Sequence, residues 1–74
     1  MTEIGVETEA AGIVSRIARG EGEHVARDEP ILFVEIMKME IPVPAPVEGK
    51  IIQLLVAQGD TVAEGQRIAI VETP

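Results

Sequence analysis

Apolar positions along this chain gather in short blocks punctuated by glycine, proline and acidic residues, with no sustained helical spacing. Segments 12–18, 31–36, 39–45, 50–57 and 67–72 are rich in Ile and Val and bounded by Gly, Asp, Glu and Pro, which predicts five short strands. The Gly22-Glu23 and Gly59-Asp60 steps are turn chemistry, because glycine is free to take positive φ. Gly65 and Asp28 mark two further turns, aspartate also tolerating the left-handed region. The nearest helical candidate is LLVAQGD, and its glycine ends it. An α+β domain with one short helix near 52–58 is therefore the lesser alternative to an all-β chain.

The blocks repeat. Shifting the sequence by 37 lays residues 12–35 over 49–72 without a gap, and seven of the 24 positions are identical: Gly12/Gly49, Gly22/Gly59, Val25/Val62, Ala26/Ala63, Ile31/Ile68, Val34/Val71 and Glu35/Glu72. Roughly two identities are expected by chance at this composition, so the duplication is real. Val14/Ile51, Ile17/Leu54, Glu23/Asp60 and Phe33/Ile70 are conservative pairs, and two copies of 37 account for all 74 residues. Short strands at regular spacing, duplicated, predict a small barrel or sandwich with pseudo-twofold symmetry. By the same shift Lys38 corresponds to positions 1 and 75, so the chain ends should lie together, opposite Lys38.

The stretch EIMKMEI, 35–41, places one of only two lysines between two methionines. With Met37-Lys38 as the centre of a two-residue hairpin, the cross-strand pairs become Ile36/Met39, Glu35/Glu40, Val34/Ile41, Phe33/Pro42 and Leu32/Val43. One face then carries Ile36, Val34, Leu32, Met39, Ile41 and Val43, all apolar, so Met39 is expected to pack on the core side. Pro42 and Pro44 fall at non-bonded positions, where a missing N–H points to an open edge. One rule is broken: tight hairpin turns favour Asn-Gly or Asp-Gly, and such violations concentrate at functional sites. Glu35 and Glu40 face each other, which is unfavourable unless Lys38 or a partner offsets them.

Composition narrows the function. A net charge of −7 and a pI near 4.5 repel phosphate backbones, and the single aromatic, Phe33, offers no stacking platform, which excludes nucleic acid. The absence of cysteine removes disulfides and cysteine zinc sites. The run IIQLLVAQG is too short to cross a bilayer, and MTEIGVETEA, with three glutamates and no basic residue, is no secretory leader, so a cytoplasmic protein without membrane contact is expected. His24 has no second histidine to join it in binding a metal, Lys50 reads as a surface residue, and no nucleophile, base and orienter can be assembled, so no enzyme is expected. The length allows a single domain, 1–74, read as a monomer on its own.

MKM preceded by Glu35, followed after a short strand by Ala45-Pro46-Val47 and Gly49, with GDTVAEGQ in step in the second half, resembles the biotinyl domain of biotin carboxyl carrier proteins. The resemblance runs from about Val6 to Glu72. It implies an all-β flattened barrel of two four-stranded antiparallel sheets, with biotin joined covalently to the hairpin lysine, here Lys38. It further implies that Met37, Met39 and Glu35 take part in recognition by a biotin protein ligase. The domain then shuttles carboxyl groups from a biotin carboxylase to a carboxyltransferase, by default of the acetyl-CoA carboxylase kind that serves fatty acid synthesis. Ile36 stands where the family commonly has alanine, TEAAGIV replaces an Ala-Pro step in the first copy, and no "thumb" insertion interrupts it. A lipoyl or dual-use carrier shares the fold but typically shows Asp-Lys-Ala at this lysine, and an unmodified interaction module is the alternative from another class.

Overall fold

The computed structural model describes residues 2–74. The strands are β1 (Thr2–Glu7), β2 (Gly12–Ile17), β3 (His24–Val25), β4 (Pro30–Ile36), β5 (Met39–Pro44), β6 (Gly49–Leu54), β7 (Thr61–Val62) and β8 (Arg67–Thr73). They form two four-stranded antiparallel sheets, ordered β1-β8-β6-β3 and β5-β4-β2-β7, and no helix occurs among the described residues. The all-β expectation holds and the short helix near 52–58 does not form. The shift of 37 carries β1 onto β5, β2 onto β6, β3 onto β7 and β4 onto β8, and so one sheet onto the other. Within each sheet the two central strands come from one half of the chain and the two edge strands from the other. Neither half can therefore bury its apolar face alone.

The halves match bond for bond at their turns. Gly22 N–H donates to the Ile51 carbonyl at 2.7 Å and Gly59 N–H to the Val14 carbonyl at 2.8 Å. Both glycines have positive φ, 88° and 94°, which an L side chain rarely adopts. Asp28 sits at φ 70° where Gly65 sits at 83°, as their shared place in the repeat predicts. The core is built from the same pairs: Val6 with Val43, Val14 with Ile51, Val25 with Val62, Ile31 with Ile68, Leu32 with Ala69, and Val34 with Val71, all buried. One pair differs, Thr8 standing where the other copy has Ala45, both fully enclosed. The Thr8 hydroxyl donates to the Ala10 carbonyl at 2.8 Å and accepts from the Ala10 N–H at 3.0 Å, which removes the penalty of a buried unpaired hydroxyl.

Two expectations are corrected. The strand expected over 50–57 ends at Leu54, because the Asp60 carboxylate accepts the Ala57 N–H at 2.8 Å and closes a turn there. The five expected strands are also too few, since β1, β3 and β7 join them. β1 carries only Ile4 and Val6 among acids and a glycine, while β3 and β7 are two residues each. The molecule measures 37 × 17 × 17 Å. A six-residue strand covers about 20 Å, so the long axis is two strands laid end to end. Thr2 pairs with Thr73 at one end, and the β4–β5 hairpin forms the other. The chain ends thus lie together away from Lys38, Met1 itself falling outside the described residues.

Candidate functional site

Strands β4 and β5 pair Leu32↔Val43, Phe33↔Pro42, Val34↔Ile41, Glu35↔Glu40 and Ile36↔Met39, the register derived from the apolar face. β5 is an edge strand, so the missing N–H groups of Pro42 and Pro44 cost no ladder bond. The link between the strands is Met37-Lys38, at φ 52° and 67°. Both lie in the left-handed region, the pattern of a type I′ turn, which matches the twist of the strands it joins. Neither residue is glycine or asparagine, and such a conformation costs an L-residue roughly 1–2 kcal/mol. The ladder below the turn imposes it.

Burial fades toward the tip. Along the apolar face Val43 is buried, Ile41 and Ile36 are half-buried, Met39 is 61% exposed, and Met37 in the turn is 90% exposed. This corrects the expectation that Met39 packs into the core. The face continues to the end of the hairpin, but the opposite sheet runs the other way from mid-barrel and leaves nothing to cover it. Ile36 keeps its place by lying against Gly12, where an added Cβ would run into the Glu35 carbonyl oxygen and come within 3.0 Å of Ile36 Cγ1. Lys38 is exposed and makes no ion pair among the described residues.

Glu35 and Glu40 do face each other, and the offset comes from β2 rather than from Lys38. Glu40 accepts from Arg16 Nε at 3.2 Å and from Ser15 Oγ at 3.0 Å. The Arg16 guanidinium lies 4.0 Å from the centre of the Phe33 ring, a cation–π contact that fixes its reach. Glu35 is exposed and points to solvent. Sequence reasoning missed Arg16, because the β2–β4 register shifts between Val14 and Arg16 and so hides the Arg16↔Phe33 pair from simple alternation.

His24, exposed on β3, pairs with the exposed Lys50 of β6, and the described residues hold no cluster of three or more His, Cys, Asp or Glu able to grip a metal. No helix among them is long and apolar enough to cross a membrane. The hairpin therefore offers one chemical handle: a primary amine on a strained, rigidly based tip, flanked by two exposed thioethers. Such a group is a nucleophile once deprotonated, and a tip on a fixed base can be presented to more than one enzyme. The same exposure gives room for a covalently attached cofactor on Lys38.

Residues 1–71 match the family model described as "Biotin-requiring enzyme". Over 66 residues the chain is 33% identical to the biotinylated protein TB7.3 homolog of Mycobacterium leprae, covering 89% of this chain and 93% of that one. It is 37% identical over 67 residues to a probable dihydrolipoyllysine-residue succinyltransferase component of the 2-oxoglutarate dehydrogenase complex of Schizosaccharomyces pombe, covering 90% of this chain and 15% of that protein. The crystal structure of the Kluyveromyces lactis urea carboxylase superposes with a TM-score of 0.89 at 26% identity, over 97% of this chain and 6% of that one. The chain thus spans a small fraction of the two larger proteins and nearly the whole of the mycobacterial one.

Proposed function

Since the chain belongs to the biotin/lipoyl attachment family, we propose that it is a biotin carboxyl carrier whose Lys38 bears the cofactor. The observation that carries this reading is the Met37-Lys38-Met39 tip, with both turn residues left-handed and the lysine without an ion-pair partner among the described residues. A biotin protein ligase takes a proton from the Lys38 amine as Nζ attacks the acyl carbon of activated biotin. The new C–N bond forms as the bond to the adenylate oxygen breaks, and AMP leaves. Met37 and Met39 give the ligase two apolar anchors beside the amine, and Glu35 a charge two residues from Met37.

When bound, the group carries carboxyl from one active site to another. What the chain contributes is placement. The Arg16–Glu40–Ser15 contacts brace the base of the hairpin, so the backbone that carries Lys38 is held relative to the barrel. Lys38 would hold such a group at high effective concentration near a biotin carboxylase and a carboxyltransferase. We assign residues 1–74 to one carrier domain, non-catalytic by itself, working in the cytoplasm with an acetyl-CoA carboxylase-type partner set. The second reading, lipoyl attachment at the same lysine, is favoured by the similarity to the succinyltransferase component.

The test is intact mass after co-expression with a biotin ligase and free biotin, beside a Lys38→Ala control. One biotinyl group lost in the control is expected. A lipoyl group added by a lipoyl ligase under matched conditions, with no biotin taken up, would overturn the biotin reading and establish the second.

A further inference from the structure

A cleft of about 350 Å³ runs between the two edge strands, β1 and β5, on the pseudo-twofold axis. Its two sides are repeat equivalents, Val6 with Val43, Glu7 with Pro44, Thr8 with Ala45 and Glu9 with Pro46, yet their chemistry has diverged. One wall is prolines from β5 and the segment after it; the other presents carboxylates of Glu7 and Glu9, which are exposed. Val43 and Ala45, both buried, and the half-buried Ala10 and Ile41 make the floor apolar. The cleft has a near and a far end relative to Lys38. Residues 8–12 climb toward the hairpin root, since Gly12 lies against the Glu35 carbonyl and Ile36, so Glu9 and Ala10 belong with Ile41 and Pro42 at the near end.

Resting on the assignment of Lys38 as the attachment residue, we propose that the near end of this cleft is a docking site for the ring of the cofactor on its own arm. Ile41 is three residues beyond Lys38, about 10 Å along the strand. The lysine side chain and a five-carbon acyl chain extend roughly 13 Å from Cα at ordinary bond lengths. That reach passes Ile41, and the ring at its end extends it to Val43, about 17 Å from Lys38, with Glu9 and Ala10 across the cleft. Pro46, about 27 Å away, stays beyond it. A bicyclic ring with an apolar, sulfur-bearing half and a cyclic urea half is matched by this lining. The apolar half lies on Ala10, Ile41 and Val43, while the urea N–H groups donate to the Glu9 carboxylate. Such charge-assisted bonds are among the stronger neutral-to-ion contacts. Docking shelters the ring between visits and leaves the hairpin itself unchanged.

The chain has no cysteine, so a Lys38→Cys variant takes a biotin iodoacetamide reagent of matched arm length at one position, independently of any ligase. Amide spectra of the ¹⁵N-labelled protein are compared with those of the same variant capped by plain iodoacetamide. Biotin-specific shifts at Glu9, Ala10, Ile41 and Val43, absent at Val47 and Ile4, are expected. They should shrink at least twofold in Glu9→Gln and vanish in Ala10→Leu, with amide dispersion reporting that each variant is folded. Shifts confined to Ile36–Glu40, or cleft shifts indifferent to both substitutions, would refute the docking site. Failure of a biotin ligase to modify Lys38 in the unsubstituted protein would instead overturn the attachment assignment, a result distinct from either spectrum because the cysteine label needs no ligase.

Discussion

Replacing Met37 with asparagine tests whether the tip is held under strain. Met37 sits at φ 52°, where an L side chain pays roughly 1–2 kcal/mol, and asparagine enters that region more readily by local hydrogen bonding. Relief of about half the strain is worth about 0.5–1 kcal/mol. Against it stands lost burial, which is small because Met37 is 90% exposed. A fully buried methionine is worth roughly 1.5–3 kcal/mol, so the remaining tenth contributes about 0.2 kcal/mol. The net gain is about 0.5 kcal/mol, or an increase in Tm of about 2–4 °C for a domain of this size. Calorimetry checks the shift, and urea unfolding with an unchanged slope checks that it arises in the folded state rather than in the compactness of the unfolded one. The same substitution should slow biotinylation by a ligase severalfold, because the exposed thioether beside the amine is gone. A Tm equal to or below that of the parent protein would show that the turn is not strained at Met37, and the account of a rigid, imposed tip would fall with it.

Two further outcomes follow from the repeat. Gly12→Ala and Gly49→Ala each drive a Cβ into a carbonyl oxygen, Glu35 in one case and Glu72 in the other, so each should cost about 1–3 kcal/mol in urea unfolding. Only Gly12→Ala should also reduce Lys38 modification, since Gly49 lies at the end of the barrel away from the hairpin; equal effects on modification would refute that division. Glu29 accepts the Ala26 N–H at 3.0 Å and an Arg19 guanidinium N–H at 2.9 Å, and these bonds hold its carboxyl below the usual glutamate range, the backbone bond first. A depressed folded value means a contribution present above the unfolded pKa and lost as pH falls through the folded one. Glu29→Gln keeps the backbone bond, as Gln66 does to the Ala63 N–H at 2.9 Å, and should flatten the dependence of Tm on pH below the ordinary glutamate range; an unchanged acid limb would refute the assignment.

The hairpin was legible because two independent signals converge on one register: the apolar face and the proline positions. Each can be checked by alternation alone, which a β ladder preserves. Arg16 was not legible for the converse reason. The bulge after Val14 moves every following residue of β2 out of step, so no alternation argument could bring Arg16 beside Phe33 and Glu40. Met39 shows a different limit. Its place on the apolar face was right, but burial depends on what lies opposite, and that is set by how far the second sheet extends. The cleft between β1 and β5 was invisible too, because it joins residues from two edge strands that share no hydrogen bond.

Duplication explains the fold, and its imperfection explains why one end of the barrel can serve as a site. The partner of the Ile36↔Met39 pair at the base of the Lys38 turn is Thr73↔Thr2, closed by strand pairing but by no turn between consecutive strands. A symmetric barrel would present two equivalent tips; this one presents a single turn, so an enzyme that reads the tip has one place to act. The same asymmetry appears along the cleft, where Glu9 holds the place in the repeat that Pro46 holds in the other copy, and Thr8 the place of Ala45. Exposed positions differ between the copies along the whole repeat, the hairpin and the cleft rim among them, whereas the core pairs differ mainly in side-chain size. Packing keeps the two halves alike because each must complete the other's sheet. Where packing places no demand, at the tip and along the cleft rim, the two copies are free to differ, and there stand the lysine, the methionines and the carboxylates on which the proposed chemistry rests.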